Sequence, residues 1–84
     1  MAFSEQEMSC ILERLRGGET VTASECSNRY LTTFAWRDDG WVLDCFEEGV
    51  TRVVKLNEEQ MRAEIDRSKR DIFAPLLRPQ PSKK

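Results

Sequence analysis

The chain has 84 residues, with 13 basic and 15 acidic side chains, three cysteines and no histidine. That length allows one small domain in which only about 60–65% of the unfolded surface becomes buried, so disulfides, metals or oligomerisation are the usual supplements. The nearly balanced, slightly acidic charge argues against a protein whose main work is gripping phosphate backbones, and the missing histidine removes the commonest general base and the commonest metal ligand.

The first element is a helix announced by Ser4 and, three residues later, Glu7, the spacing of a capping box. Phe3 and Met8 flank the cap as a hydrophobic staple. Met8, Ile11, Leu12 and Leu15 then recur on one helical face, and Gly17-Gly18 stops the helix with Arg14 and Arg16 in its last turn. Residues 19–29 carry no dominant pattern. Thr20-Val21-Thr22 suits a short edge strand, residues 22–25 suit a capped helical turn, and 24–28 read as a loop, so the segment is expected to be irregular.

Residues 30–56 hold both tryptophans and most of the large apolar side chains. They alternate as three strands separated by Arg37-Asp38-Asp39-Gly40 and by Glu48-Gly49, two strong turn signals. The turns set a register with Trp36 facing Trp41, Phe34 facing Leu43, Cys45 facing Arg52 and Leu43 facing Val54. This register gathers Tyr30, Phe34, Trp36, Trp41, Leu43, Val54 and Leu56 on one face. The opposite face carries Leu31, Ala35, Val42, Phe46 and Val53 beside Thr33, Asp44, Thr51 and Lys55, which is more apolar than a solvated sheet face requires.

A second helix starts at Asn57, with Gln60 at the box position and Leu56 and Met61 as staple. Its stripe is thin, Met61, Ile65, Ser68 and Ile72 with Phe73 beside it, and Pro75 is expected to end it. The prolines and terminal lysines beyond read as a tail in which only Leu76 and Leu77 could anchor. The expected architecture is therefore α+β, in the order α-β-β-β-α: a three-stranded antiparallel β-meander flanked by an N-terminal and a C-terminal helix. Residues 1–74 form the domain and 75–84 a flexible tail.

The inventory of reactive groups offers little chemistry. Cys10, Cys26 and Cys45 are widely spaced with no C-x-x-C pair, so no metal site and no cofactor are expected, and the thiols read as reduced, with Cys45 on the core face and Cys10 off its helix stripe. The acidic pairs Asp38-Asp39 and Glu47-Glu48 sit in turns, where backbone geometry already calls for such residues, and Gly17-Gly18 lacks the strand-before-helix context of a phosphate loop. Residues 1–10 carry two glutamates and no basic side chain, unlike a secretory signal, and no apolar run approaches a membrane span, so the expectation is a cytoplasmic protein.

What remains is a non-catalytic protein-interaction module, of adaptor, inhibitor, immunity or chaperone-like type, whose partner is another protein or a second copy. The candidate contact residues are Leu31, Val42, Phe46 and Val53, with the acids Asp44, Glu47 and Glu48 at the rim. The alternative is a nucleic-acid-binding regulator using Arg62, Arg67, Lys69 and Arg70 of the second helix together with the tail, against which the interleaved acids Glu64, Asp66 and Asp71 count.

Overall fold

Both helix starts form as their capping residues dictate. In the computed structural model, which describes residues 3–25 and 29–77, helix α1 (Glu5–Arg16) begins at Ser4. The Ser4 hydroxyl accepts from the Glu7 N–H at 3.1 Å, and the Glu7 carboxylate accepts from the Ser4 N–H at 3.0 Å. Two of the donors that every helix N-terminus leaves unpaired are thus satisfied reciprocally. Asn57 and Gln60 repeat the arrangement at helix α2 (Glu58–Arg67), at 2.8 and 2.9 Å.

Between the helices lies one antiparallel sheet in the order β1 (Val21–Glu25), β2 (Tyr30–Arg37), β3 (Gly40–Glu47), β4 (Val50–Leu56). The sheet has four strands rather than the expected three. Residues 21–25, expected to be irregular, pair with β2, Val21 opposite Phe34 and Ala23 opposite Thr32. Only those two side chains of β1 are apolar and face the core, which is too short an alternation to stand out before the partner strand is known. Cys26 and the rest of residues 26–28 lie outside the described residues.

Along β2, β3 and β4 the register is the one the turns imply, with Trp36 opposite Trp41, Phe34 opposite Leu43, Leu43 opposite Val54 and Trp41 opposite Leu56. The first connection is tighter than a four-residue loop. Arg37 pairs with Gly40, leaving Asp38 and Asp39 as a two-residue turn at φ 52° and 59°. Glu48 and Gly49 form the second at φ 48° and 90°. Positive φ at both central positions gives a type I′ turn, whose twist matches that of the strands it joins.

Helix α2 ends sooner than Pro75. It stops at Arg67, where the Ser68 hydroxyl donates to the Glu64 carbonyl at 3.0 Å and the backbone of Ser68 and Lys69 turns extended. A 3-10 turn (Arg70–Phe73) and a short helix α3 (Ala74–Leu77) follow. The break lets Phe73 reach the core, its ring edge-on to Phe34 at 5.1 Å and to Phe3 at 5.8 Å, a favoured aromatic geometry. Pro75, expected to end α2, sits instead in the first turn of α3, where its missing N–H costs no helical bond. Leu76 is buried and Leu77 packs against the core, so the chain stays part of the fold to residue 77; the tail from residue 78 lies outside the described residues.

The core is a single layer between the helices and one face of the sheet. It joins Ile11, Leu12 and Leu15 of α1 and Met61 and Ile65 of α2 to Phe34, Trp41 and Leu43. Its open end is closed by the Arg16 guanidinium, 4.8 Å from the Trp36 ring and 5.2 Å from the Trp41 ring, while the same group reaches Glu58 at 3.5 Å. Tyr30, placed by its alternation on the core face, stands outside the cluster at the far end of β2, half-buried. The reason is coverage: the helices overlie the Trp36 and Phe34 rows of the sheet but not the row of Tyr30, Glu47 and Val50. Among the described residues no helix is long and apolar enough to cross a membrane.

Candidate interaction surface

Alternation along the strands fixes the second face of the sheet. Ala35, Val42 and Lys55 form one row across it, Thr22, Thr33, Asp44 and Val53 the next, and Leu31, Phe46 and Thr51 the third. All the helices of the described residues contribute to the core on the other side, and none packs here.

Val42 and Ala35 are nonetheless only 3% and 2% exposed, although neither belongs to the core cluster. Their cover is local. Arg37 on β2 reaches Asp44 on β3 at 3.3 Å, and the register runs that ion pair diagonally over the Ala35–Val42 pair. Arginine is suited to this, since its aliphatic stem lies on apolar surface while its head stays in water. Val42 is therefore a shielded floor rather than a contact, and Asp44 is engaged within the chain.

The other candidates divide. Leu31 and Phe46 pair across β2 and β3 and remain half-buried, and Val53 beside Asp44 is 49% exposed. These three form the apolar part of the surface, with Lys55 near them, a cation that makes no ion pair among the described residues. Of the rim acids, Asp44 stands beside Val53, but Glu47 and Glu48 do not gather there. Glu47 alternates onto the helix side of the sheet, in the row of Glu25, Tyr30 and Val50. Glu48, in the turn, accepts from the Tyr30 hydroxyl at 2.9 Å and from Arg29 at 3.4 Å. That bond to Glu48, followed by partial burial, holds the Tyr30 phenol above its ordinary pKa. The surface also includes Arg37, as cover, and Thr22, whose hydroxyl shares a 2.9 Å hydrogen bond with Thr33. Thr22 could be found only by recognising β1 as a strand, whereas Arg37 could be read from its place two residues beyond Ala35 on the same face.

The basic side chains around α2 are largely committed. Arg62 bonds Glu58 at 3.1 Å and Glu5 at 3.5 Å, Arg67 meets Glu64 at 3.7 Å, and Arg70 meets Glu7 at 2.8 Å. The Glu58 bond raises the pKa of Arg62, and the Arg70 bond, with the Ser4 backbone, lowers that of Glu7. Lys69 makes no ion pair among the described residues and helps line a cleft of about 360 Å³ between β1–β2 and the end of α2. Ala23, Thr32, Phe34 and the Glu64–Arg67 pair line it as well.

Among the described residues no group of three or more histidine, cysteine or acidic side chains is placed to hold a metal ion. Cys10 and Cys45 are not joined by a disulfide, and both are half-buried. Cys10 is turned inward, its thiol donating to the Leu76 carbonyl at 3.2 Å, and Cys45 packs against the core. Comparison with models of protein families, with curated proteins and with solved structures finds no match to this chain.

Proposed function

We propose that this chain is a non-catalytic interaction module that binds another protein through the sheet face turned away from its helices. The observation that supports this is one-sided coverage: among the described residues the helices lie on one face, and no element crosses Leu31, Phe46 and Val53 on the other. The ligand this face suits is an apolar protein surface carrying a carboxylate. Lys55 makes no ion pair among the described residues, whereas Arg37 and Asp44 already satisfy each other. Completing the burial of a half-exposed side chain the size of valine or phenylalanine is worth roughly 1 kcal/mol, so these three supply about 3 of the roughly 8 kcal/mol that a micromolar contact requires, and the remainder comes from the partner's contacts around them. An adaptor, inhibitor or chaperone-like regulator working in the cytoplasm, where Cys10 and Cys45 stay reduced, fits this design.

The test pairs Phe46→Asp with a helix-surface control, Glu59→Gln, after circular dichroism has shown that both fold. Proteins captured from the native host by the wild-type chain are purified and titrated against all three forms by calorimetry. The expected result is a protein that binds wild type and control alike and Phe46→Asp at least about tenfold more weakly. If no captured protein distinguishes Phe46→Asp from the control, the proposal is wrong.

A further inference from the structure

The two edges of the sheet carry opposite and unspent charge. On β4, Arg52 and Lys55 make no ion pair among the described residues, and the strand has no acid. Seven arginines elsewhere (14, 16, 29, 37, 62, 67 and 70) each meet a carboxylate of their own chain. The large aliphatic side chains left exposed among the described residues, Val50 at 67% and Val53 at 49%, are both on β4. At the other edge, β1 ends in Glu25, which also makes no ion pair, and the strand has no cation. An edge strand of seven residues with exposed valines is a template for another strand unless something blocks it, and nothing among the described residues lies along it.

The backbone fixes which pairings are open. In an antiparallel ladder, residues alternate between bonding inward and outward, and the pair flanking a two-residue turn is a bonded one. Glu47 and Val50 are that pair, so Arg52, Val54 and Leu56 bond to β3 while Thr51, Val53 and Lys55 direct their N–H and C=O groups to the open side. The same alternation carried through β2 makes Arg29 and Glu48 a bonded pair, and the Glu48 N–H does donate to the Arg29 carbonyl, at 3.0 Å. On β1 it turns Thr22 outward.

We infer that this chain associates with itself head to tail, β1 of one copy adding antiparallel to the open edge of β4 of the next. Among the registers that bring Thr22 opposite an outward-facing residue of β4, the one opposite Lys55 sets Glu25 against Arg52, Ala23 against Val54 and Val21 against Leu56. Charge meets charge, and apolar meets apolar on the helix side. Opposite-charge cross-strand pairs favour a ladder and like charges disfavour it. Charge also excludes the symmetric alternative: pairing β4 with a second β4 would place two Arg52 and two Lys55 in one ladder with no acid between them. A head-to-tail contact uses two different surfaces of each copy, so it builds a ring or an open chain. It pairs the edges and leaves Leu31 and Phe46 uncovered; Val53 and Lys55 belong to both surfaces, but Glu25 and Arg52 lie on the helix side, so charge swaps there separate this inference from the partner-binding reading above.

The test is a charge swap read by light scattering with size-exclusion chromatography, up to hundreds of micromolar chain. Glu25 and Arg52 are both exposed, so Glu25→Arg and Arg52→Glu leave the core untouched. The wild type is expected to exceed the monomer mass as concentration rises, and each variant alone to weaken that association about tenfold. An equimolar mixture of the two variants is expected to restore it, because every contact between unlike copies again joins an arginine to a glutamate. A wild type that stays monomeric overturns the inference. So does association that survives either swap, a mixture that stays as weak as its components, or self-association abolished by Phe46→Asp but indifferent to both swaps.

Discussion

Replacing Leu76 by alanine tests whether the end of the chain belongs to the fold. Leu76 is 2% exposed and belongs to the same buried cluster as Ile11, Ile65 and Phe73. Its carbonyl accepts from the Cys10 thiol at 3.2 Å and from Arg14 at 3.4 Å, so α3 is held by backbone as well as side chain. Truncating a buried leucine to alanine costs about 2–5 kcal/mol, the lower values applying where neighbours can close the cavity. Four-residue α3 is terminal among the described residues and can shift, so about 2–3 kcal/mol is expected. A domain of this size holds only roughly 4–10 kcal/mol in total. With a urea dependence near 1 kcal/mol per molar, the midpoint of denaturation followed by tryptophan fluorescence falls by about 2–3 M. The slope separates two ways of losing this energy. A cavity leaves it unchanged, whereas release of α3 lowers it, because less surface is then buried in the native state. Leu77→Ala, at a half-buried position, is the comparison and should cost about 1 kcal/mol. A midpoint for Leu76→Ala within about 0.5 M of wild type would refute the docking of α3 and return these residues to the tail.

Three further measurements bear on particular contacts. Arg70 holds the Glu7 pKa below its ordinary value, so the stability from this pair is complete above the unfolded pKa, about 4.3, and is lost as pH falls through the depressed folded value. Glu7→Gln should flatten the decline of stability between about pH 5 and pH 3, and an unchanged decline contradicts the assignment. Tyr30 is the chain's one tyrosine, so tyrosinate absorbance reports its phenol alone. Its raised pKa adds stability that is present below about pH 10 and lost as pH rises through the folded value, and Glu48→Gln should move the absorbance midpoint down. Finally, Asp38→Asn combined with Asp39→Gly puts the preferred type I′ residues at φ 52° and 59° and should stabilise the domain by about 1 kcal/mol; destabilisation would mean that these carboxylates do more than make a turn.

The parts of the fold legible in the sequence are those fixed by neighbours along the chain. Each capping box needs only two residues three apart, and both formed. Two turns, one marked by a pair of aspartates and the other by a glycine, pinned the register of β2, β3 and β4 residue by residue. The illegible parts depend on distant partners. Strand β1 shows only Val21 and Ala23 to the core, and its pairing becomes evident only against Phe34 and Thr32. The end of α2 carries no glycine or proline. Ile72 and Phe73 stand seven and eight residues beyond Ile65 and so fit a continuing helix, yet a straight helix could not bring the Phe73 ring between Phe3 and Phe34. Tertiary packing outweighed local periodicity there, with the Ser68 hydroxyl on the Glu64 carbonyl marking the break.

The candidate surface divides along the same line. Period-two alternation assigned Leu31, Val42, Phe46 and Val53 to one face, and the register keeps them there. Alternation cannot say what lies above a side chain, which is why Val42 reads as a contact until Arg37 and Asp44 are seen to close over it. Edges are less legible still, because a strand is an edge only relative to every other strand. In a three-stranded meander β2 would be terminal, with Leu31 and Thr33 beside solvent and no acid along it. Adding β1 replaces that edge by one that ends in a glutamate, opposite in sign to the cations of β4, none of the three making an ion pair among the described residues. A short strand of weak alternation thereby changes what the whole sheet can join: with it the two borders differ in charge and can meet across copies, and without it only β4 would carry unspent charge.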